Sequence, residues 1–386
     1  MTITRFDKVI CALALSGLGF QAIGDDGEAG GVLKIETLDG PIIAERVLDG
    51  ITEPVAIEFL PDGRALVLQR DQGLVTLADF TTGEKTNITG LPDIHVEGSA
   101  GVHDVALHPD FADNGWIYLS YSQGEPFHST VVLDRFRLEG TTVSERERLF
   151  AADAFSEGEY HFAARVLVND GYVYMTVGDR EHPPMAQDLG NHGGTIVRLH
   201  DDGRVPQDNP FVGAEALDST TPRAEIWSYG LRDPQGLVVH PQTGALWAHD
   251  HGPRGGDELN LVKPGANYGW PVISFGFQYD GGPIGMGLPM QDGMEVPYWV
   301  YVPSIAPSDM IIYQGNAFPA WQGNFLIGAM AGVHLNRLVM RADEVVAEER
   351  IGRYVMGRIR SLAVDDEGLI YLGSDSGAVW RLRPRG

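Results

Sequence analysis

The feature that most constrains this chain is a weak internal repeat. An apolar strand, a turn built on Pro, Asp or Gly, and a second strand carrying aromatics appear as VAIEFLPDGRALVLQRD (55–71), VALHPDFADNGWIYLSYS (105–122) and ARVLVNDGYVYMTVGDR (164–180). The pattern returns as GLVVHPQTGALWAHDHG (236–252), DMIIYQGNAFPAWQGNFLIGAM (309–330) and SLAVDDEGLIYLGSDSG (361–377). One such strand pair cannot bury its apolar face alone, but copies stacked around an axis can. The copies start roughly 50 to 75 residues apart, which leaves room for four strands and insertions in each. The expectation is an all-β, six-bladed β-propeller with four-stranded antiparallel blades around a central axis.

Composition supports that reading. The 49 glycines and 23 prolines spread along 386 residues favour short strands and tight turns over long helices. A formal charge of -25 argues against a nucleic-acid or anionic-membrane partner, because phosphate is repelled over most of the surface. At the N-terminus, MTITRFDK carries Arg5 and Lys8 and is followed by the apolar run VICALALSGLGFQAIG, too short to span a bilayer comfortably. We read residues 1–24 as a signal peptide and 25–386 as one propeller domain, exported to the periplasm or secreted, with no membrane insertion after cleavage. An uncleaved N-terminal anchor is the competing reading. Cys11, the single cysteine, lies within the apolar run, so the mature chain has no disulfide, thiolate nucleophile or Cys-ligated metal.

Several second strands of the repeats run into polar tails: QRD (69–71), GDR (178–180), HDHGP (249–253) and GSDSG (373–377). In a propeller, loops at one end of the inner strands share a pocket at the axis, so these tails are expected to meet there. The segment HDHGPRGGDELN (249–260) packs glycines, a proline and acids into one loop. Glycine allows close backbone approach, proline keeps its carbonyl, and Asp257 and Glu258 are hard oxygen ligands or acceptors, a chemistry that suits calcium. A sharp turn with its acids in solvent is the alternative.

His161, just before the third copy, is a candidate proton acceptor, and Asp179 at the far end of the same copy could hold its ring. A His packed beside Phe162 without chemistry is the competing reading. Arg232 stands at the start of the fourth strand pair. Arg358 and Arg360 alternate around Ile359, so on a strand both face one side and call for an anion or carboxylates opposite. DNPFVGAEALDSTTPRAEI (208–226) reads as the clearest long insertion. No Walker or dinucleotide loop, GxSxG elbow or HxxEH-type zinc spacing is present, which disfavours nicotinamide enzymes and serine hydrolases.

The segment SYGLRDPQGLVVHPQTGALWAHDHGPRGGDELNLVKPGANYGWPVISFG resembles the soluble aldose sugar dehydrogenases that use pyrroloquinoline quinone (PQQ). GVHDVALHPDFADNGWIYLSY, HFAARVLVNDGYVYMTVGDR, PSIAPSDMIIYQGNAFPAWQGNFLIGAM and GRIRSLAVDDEGLIYL resemble further blocks of that family in the same order. The resemblance implies a calcium- and PQQ-dependent oxidation of aldose sugars or related alcohols to lactones. It implies that His161 is the general base, assisted by Asp179. Gly252 and Pro253 match the pair whose backbone carbonyls hold calcium, and Asp257 matches an acid of the same loop. Arg232 matches an arginine near the reacting carbonyl, and Arg358 and Arg360 match basic residues facing the cofactor's carboxylates. Tyr298 or Trp299, in PYWVY, is expected to stack on the flat cofactor.

Five kinds of position depart from the family pattern. Asp233 stands where Asn is frequent, Ser99 where a glutamine is found, and Ala331 where a lysine is common. His103 replaces an apolar residue, while the small residues after the histidine are Ala163 and Ala164; these last changes are expected outside the cofactor shell. Asp233 adds negative charge and Ala331 lacks a positive one, which predicts weak PQQ affinity. A calcium-dependent propeller lactonase with His161 activating water, and a non-catalytic binding propeller, are the rival readings. The sugar and the electron acceptor are not specified by the sequence.

Overall fold

The computed structural model describes residues 31–216 and 220–386; the expected signal peptide at 1–24 and Cys11 lie outside the described residues. Each repeat copy forms the two inner strands of one antiparallel blade. The innermost strands are Pro54–Phe59, Val102–Leu107, Ala163–Asn169, Pro234–Val239, Pro307–Ile312 and Ile359–Val364. Each packs against the next, and the last returns to the first, closing a six-bladed ring.

The strand alternation explains the packing. Leu66, Leu68, Val75 and Leu77 of the first blade meet Val102, Leu119, Tyr121 and Phe136 of the second, all buried. Similar apolar wedges fill the other interblade spaces, as where Trp321 and Leu326 of the fifth blade meet Leu372 and Trp380 of the sixth. The core is therefore a ring of wedges around a polar axis.

Five blades have four strands, as expected. The sixth has five, because Ile42–Asp49 pairs with Ala378–Pro384 and Val32–Ile35 adds outside it. The expected six-bladed, four-stranded architecture holds, with Val32–Ile35 as one strand added outside the sixth blade. Ile42–Asp49 is the closing fourth strand: it completes the blade built by the chain's last three strands, and Val32–Ile35 lies beyond it at the sheet edge.

The expected insertion at 208–226 connects the third and fourth strands of the third blade, Thr195–His200 and Ile226–Tyr229. A longer one, 263–298, joins Asp257–Val262 to Trp299–Tyr301 in the fourth blade and reaches the cavity through Tyr279.

Candidate active site

Every innermost strand carries one extra residue near its start relative to its neighbour: the register slips between Pro54 and Ala56, Val102 and Asp104, Ala163 and Val166, Pro234 and Gly236, Pro307 and Met310, and Ile359 and Ser361. A β-bulge bends the strand and re-aims a side chain. Val55, His103, Arg165, Gln235, Ser308 and Arg360 lie in these slips, one from each blade, and all line the same cavity of about 550 Å³. Arg165 closes its floor, donating to the carbonyls of Gln235 (2.7 Å), Val55 (2.9 Å) and Ser308 (2.6 Å) on three other blades.

The cavity is cationic in a chain that is strongly acidic overall. Arg70, Arg165, Arg232, Arg358 and Arg360 line it against the carboxylates of Glu53, Glu181 and Asp233. Glu53 holds Arg70 at 2.9 Å and Arg360 at 3.0 Å, and Asp375 holds Arg358 at 3.2 Å and also pairs with Arg360. These carboxylates were the opposite groups that the Arg358 and Arg360 alternation called for. They fix the guanidinium groups in place and leave an arginine-rich wall for an anionic ligand.

On the opposite side stands His161. Its Nδ1 lies 2.7 Å from Asp179 Oδ1, while Nε2 has no hydrogen-bond partner among the described residues. Asp179 is fully buried, and its other oxygen, Oδ2, accepts from Trp270 Nε1 at 2.8 Å. The backbone carrying His161 is strained: φ is +55° at His161, +56° at Ala163 and +66° at Ala164. A Cβ at Gly178 would sit 2.0 Å from the His161 carbonyl, so glycine is required beside it. Buried Arg180 secures the turn by donating to the carbonyls of Tyr160 and, at 2.7 Å, Gly158, with its guanidinium over the Phe162 ring at 3.4 Å. Burial pulls the Arg180 pKa down to about 10, and it stays a cation at neutral pH.

Arg232 Nη1 donates to the His251 carbonyl at 2.7 Å, which ties it to the loop singled out in the sequence. Buried Asp257 organises that loop. It accepts from Gly252 N at 2.9 Å, Ser304 Oγ at 2.8 Å and Ile305 N at 2.7 Å, so its acid is a structural hub and not solvated as the alternative had it. Gly252 and Pro253 are buried; a Cβ on Gly252 would lie 2.5 Å from the Gly255 carbonyl. His251 Nδ1 lies 2.6 Å from the Gly252 carbonyl, while no donor among the described residues reaches that of Pro253. Among the described residues no cluster of three or more His, Cys, Asp or Glu side chains is arranged for a metal. A cation in this loop must use carbonyl oxygens, which are hard donors suited to calcium.

Asp233 and Ser99 line the cavity, as expected of cofactor-shell positions. Asp233 Oδ2 accepts from Gln235 at 2.9 Å, and Oδ1 is buried with no partner. Burial works to raise its pKa, but His161, His251, the Gln235 hydrogen bond and Arg232 outweigh it and hold the carboxyl below its ordinary value.

Other expectations are corrected. Trp299 is buried in the outermost strand of the fourth blade, packed near Tyr301, and Tyr298 packs edge-on against Trp247, so neither ring reaches the cavity. Tyr160, Phe162 and Tyr279 are the aromatics that do. Ala331 is exposed and does not line the cavity; its neighbour Met330 does. His103 and Ala163, expected outside the shell, both line it. His103 bonds Ser122 Oγ at 2.7 Å, and burial, then the charges of Arg70, Arg180 and Arg165, hold it neutral. Sequence reasoning missed Arg70, although it lies in the polar tail QRD, and Trp270, although NYGWP was in view.

The sequence profile of the glucose/sorbosone dehydrogenases matches residues 51–381, most of the chain. The chain belongs to the glucose/sorbosone dehydrogenase family. It is 34% identical over 348 residues to the aldose sugar dehydrogenase YliI of Escherichia coli K12, covering 88% of this chain and 92% of that one. The crystal structure of the soluble E. coli aldose sugar dehydrogenase in its apo form superposes with a TM-score of 0.82 at 33% identity, covering 89% of this chain and 100% of the other. The PQQ-bound aldose sugar dehydrogenase of Streptomyces coelicolor shares the fold at a TM-score of 0.72 and 22% identity, covering 91% of this chain and 98% of that one. This glucose/sorbosone dehydrogenase is thus an enzyme of the sugar dehydrogenase type. No helix among its described residues is long and apolar enough to cross a membrane.

Proposed function

We propose that the protein is a calcium- and PQQ-dependent dehydrogenase that oxidises aldose sugars or related alcohols to lactones, in the periplasm or outside the cell. The observation that carries this reading is a single cavity with an arginine wall on one side and the His161–Asp179 pair on the other. A flat tricarboxylate fits that charge pattern. Arg358 and Arg360, held by Asp375 and Glu53, would bind its carboxylates; Arg232, tied to the His251 carbonyl, would help orient it, and the Gly252 and Pro253 carbonyls would hold calcium. When bound, the quinone supplies the hydride acceptor and calcium polarises it.

The protein's own part is proton transfer and positioning. Asp179 holds the His161 ring through Nδ1, which leaves Nε2 to take the proton from the anomeric hydroxyl as the hydride departs. The fixed carboxylate stabilises the imidazolium that results. Ser99 offers a hydroxyl to the ligands in the cavity, while Asp233, also in the lining, sets a negative charge beside them.

The same His–Asp pair could activate water, so the test must separate oxidation from hydrolysis. Purified protein is given calcium, PQQ, a dye acceptor and a panel of aldoses, with lactones as parallel substrates. Saturable, sugar-dependent dye reduction that requires both PQQ and calcium is expected. Lactone opening with calcium alone, and no dye reduction, would replace this reading with the hydrolase.

A further inference from the structure

We infer that Trp270 is a positioning residue that sets the proton affinity of the His161–Asp179 pair. The inference rests on His161 being the base. Its basis is a continuous buried chain: His161 Nδ1 to Asp179 Oδ1 at 2.7 Å, then Asp179 Oδ2 to the indole Nε1–H of Trp270 at 2.8 Å. The remaining donor to the carboxylate is the Glu181 backbone N–H, on Oδ1 at 2.9 Å. Oδ2 therefore has the indole as its single hydrogen-bond donor among the described residues.

Trp270 is itself fixed. Its backbone N–H donates to the Gly230 carbonyl at 2.9 Å, its backbone carbonyl accepts from Gln187 Nε2 at 2.7 Å, and Arg232 lies over its ring at 5.5 Å. The 263–298 insertion thus sends one side chain beneath the catalytic pair from a different blade. A neutral donor on a carboxylate withdraws part of its negative charge, and a carboxylate so occupied supports an imidazolium less strongly. The indole thereby weakens the support that Asp179 gives an imidazolium and fixes which carboxylate oxygen faces the ring. The other charged or titratable groups around the pair are Asp233, Arg232 and His251 from the fourth blade, with Arg180 and Glu181 beside Asp179. His103, from the second blade, is buried and neutral. None of them donates to Oδ2.

The test is Trp270→Phe, which keeps an aromatic ring and removes the donor. In the protein without cofactor, the His161 ring is followed by NMR through a pH titration, with His161→Ala to assign the signal. The titration midpoint is expected to rise by about 0.5 to 1 pH unit. In the reconstituted enzyme the acid limb of kcat should move up with it, so that activity lost at neutral pH returns at higher pH. A purely structural role would lower kcat evenly across pH and leave the midpoint in place, and that result overturns the inference. Should the variant not fold, the indole N–H resonance of Trp270 in the native protein serves instead. It should titrate together with His161 and go flat in His161→Ala; an indole signal indifferent to His161 also overturns it. Because the NMR readouts need no turnover, they stand or fall separately from the dehydrogenase reading.

Discussion

His161 lines the cavity with its Nδ1 held by the buried Asp179 carboxylate, which leaves Nε2 without a partner among the described residues. His161→Ala should therefore leave PQQ binding nearly intact and lower turnover by roughly 100-fold or more, measured as dye reduction at saturating sugar. Asp233 has the opposite expected effect: its unpaired, ionised oxygen repels an anionic ligand, so Asp233→Asn should tighten PQQ binding by roughly 5- to 30-fold at low salt. Calorimetric titration at two salt concentrations checks this, and the gain should shrink as salt rises. The structure removes Ala331 from that argument, because it does not line the cavity. At this scale the sequence was legible where chemistry is type-specific. The contact of His161 with Asp179 and the ion pairs of Arg358 and Arg360 were readable because a histidine base needs an orienting acid and paired cations need carboxylates. Trp299 was misplaced because an aromatic's direction depends on how far its strand lies from the axis, which local sequence does not encode.

Among the elements, the loop from His251 to Asp257 is the one proposed to hold calcium, through the Gly252 and Pro253 carbonyls. Asp257 ties Gly252 to Ser304 and Ile305, joining the fourth blade to the entry of the fifth. Asp257→Ala strands those donors in a buried site and should cost on the order of 3 kcal/mol, read by chemical denaturation. In the native protein calcium should raise the melting temperature and a chelator should reverse it, since a ligand bound only by the folded state stabilises it. In Asp257→Ala that response should vanish. The loop was visible in the sequence because of its glycines and acids, but the job of the acid was not: it bonds the loop's own backbone and the start of the next blade. The six bulges were not legible at all. Each adds one residue without any shared residue type, from Val55 to Arg360, since a bulge is fixed by the neighbouring strand's register.

For the whole molecule, the repeat spacing made the six-bladed ring readable, while closure by Ile42–Asp49 was hidden, because the partner strand Ala378–Pro384 lies at the other end of the chain. The axis also carries an acid cluster beyond Arg165, where Glu58 and Asp104 face a second, smaller cavity. Burial, and the neighbouring Asp104 carboxylate, push the Glu58 pKa up to about 8. The folded state thus holds a proton that the unfolded state releases above its ordinary value of 4.5. Stability is lost as pH rises between these values, and the loss is complete above the folded pKa. Glu58→Gln should match the native protein near pH 5 and exceed it near pH 9 by about 1 to 3 kcal/mol, a few pKa units discounted for partial solvation; denaturation at both values checks this. The proposed function requires that the acidic propeller hold PQQ in its cationic cavity and that His161 drive sugar oxidation there. The most direct measurement is anaerobic rapid mixing of the protein, loaded with PQQ and calcium, with an aldose while the quinone absorbance is followed. The native protein should lose that absorbance in proportion to bound PQQ, and His161→Ala should bind the cofactor yet keep its spectrum. Equal loss in both proteins, or no sugar-dependent change in a native protein shown to hold PQQ, would contradict the account.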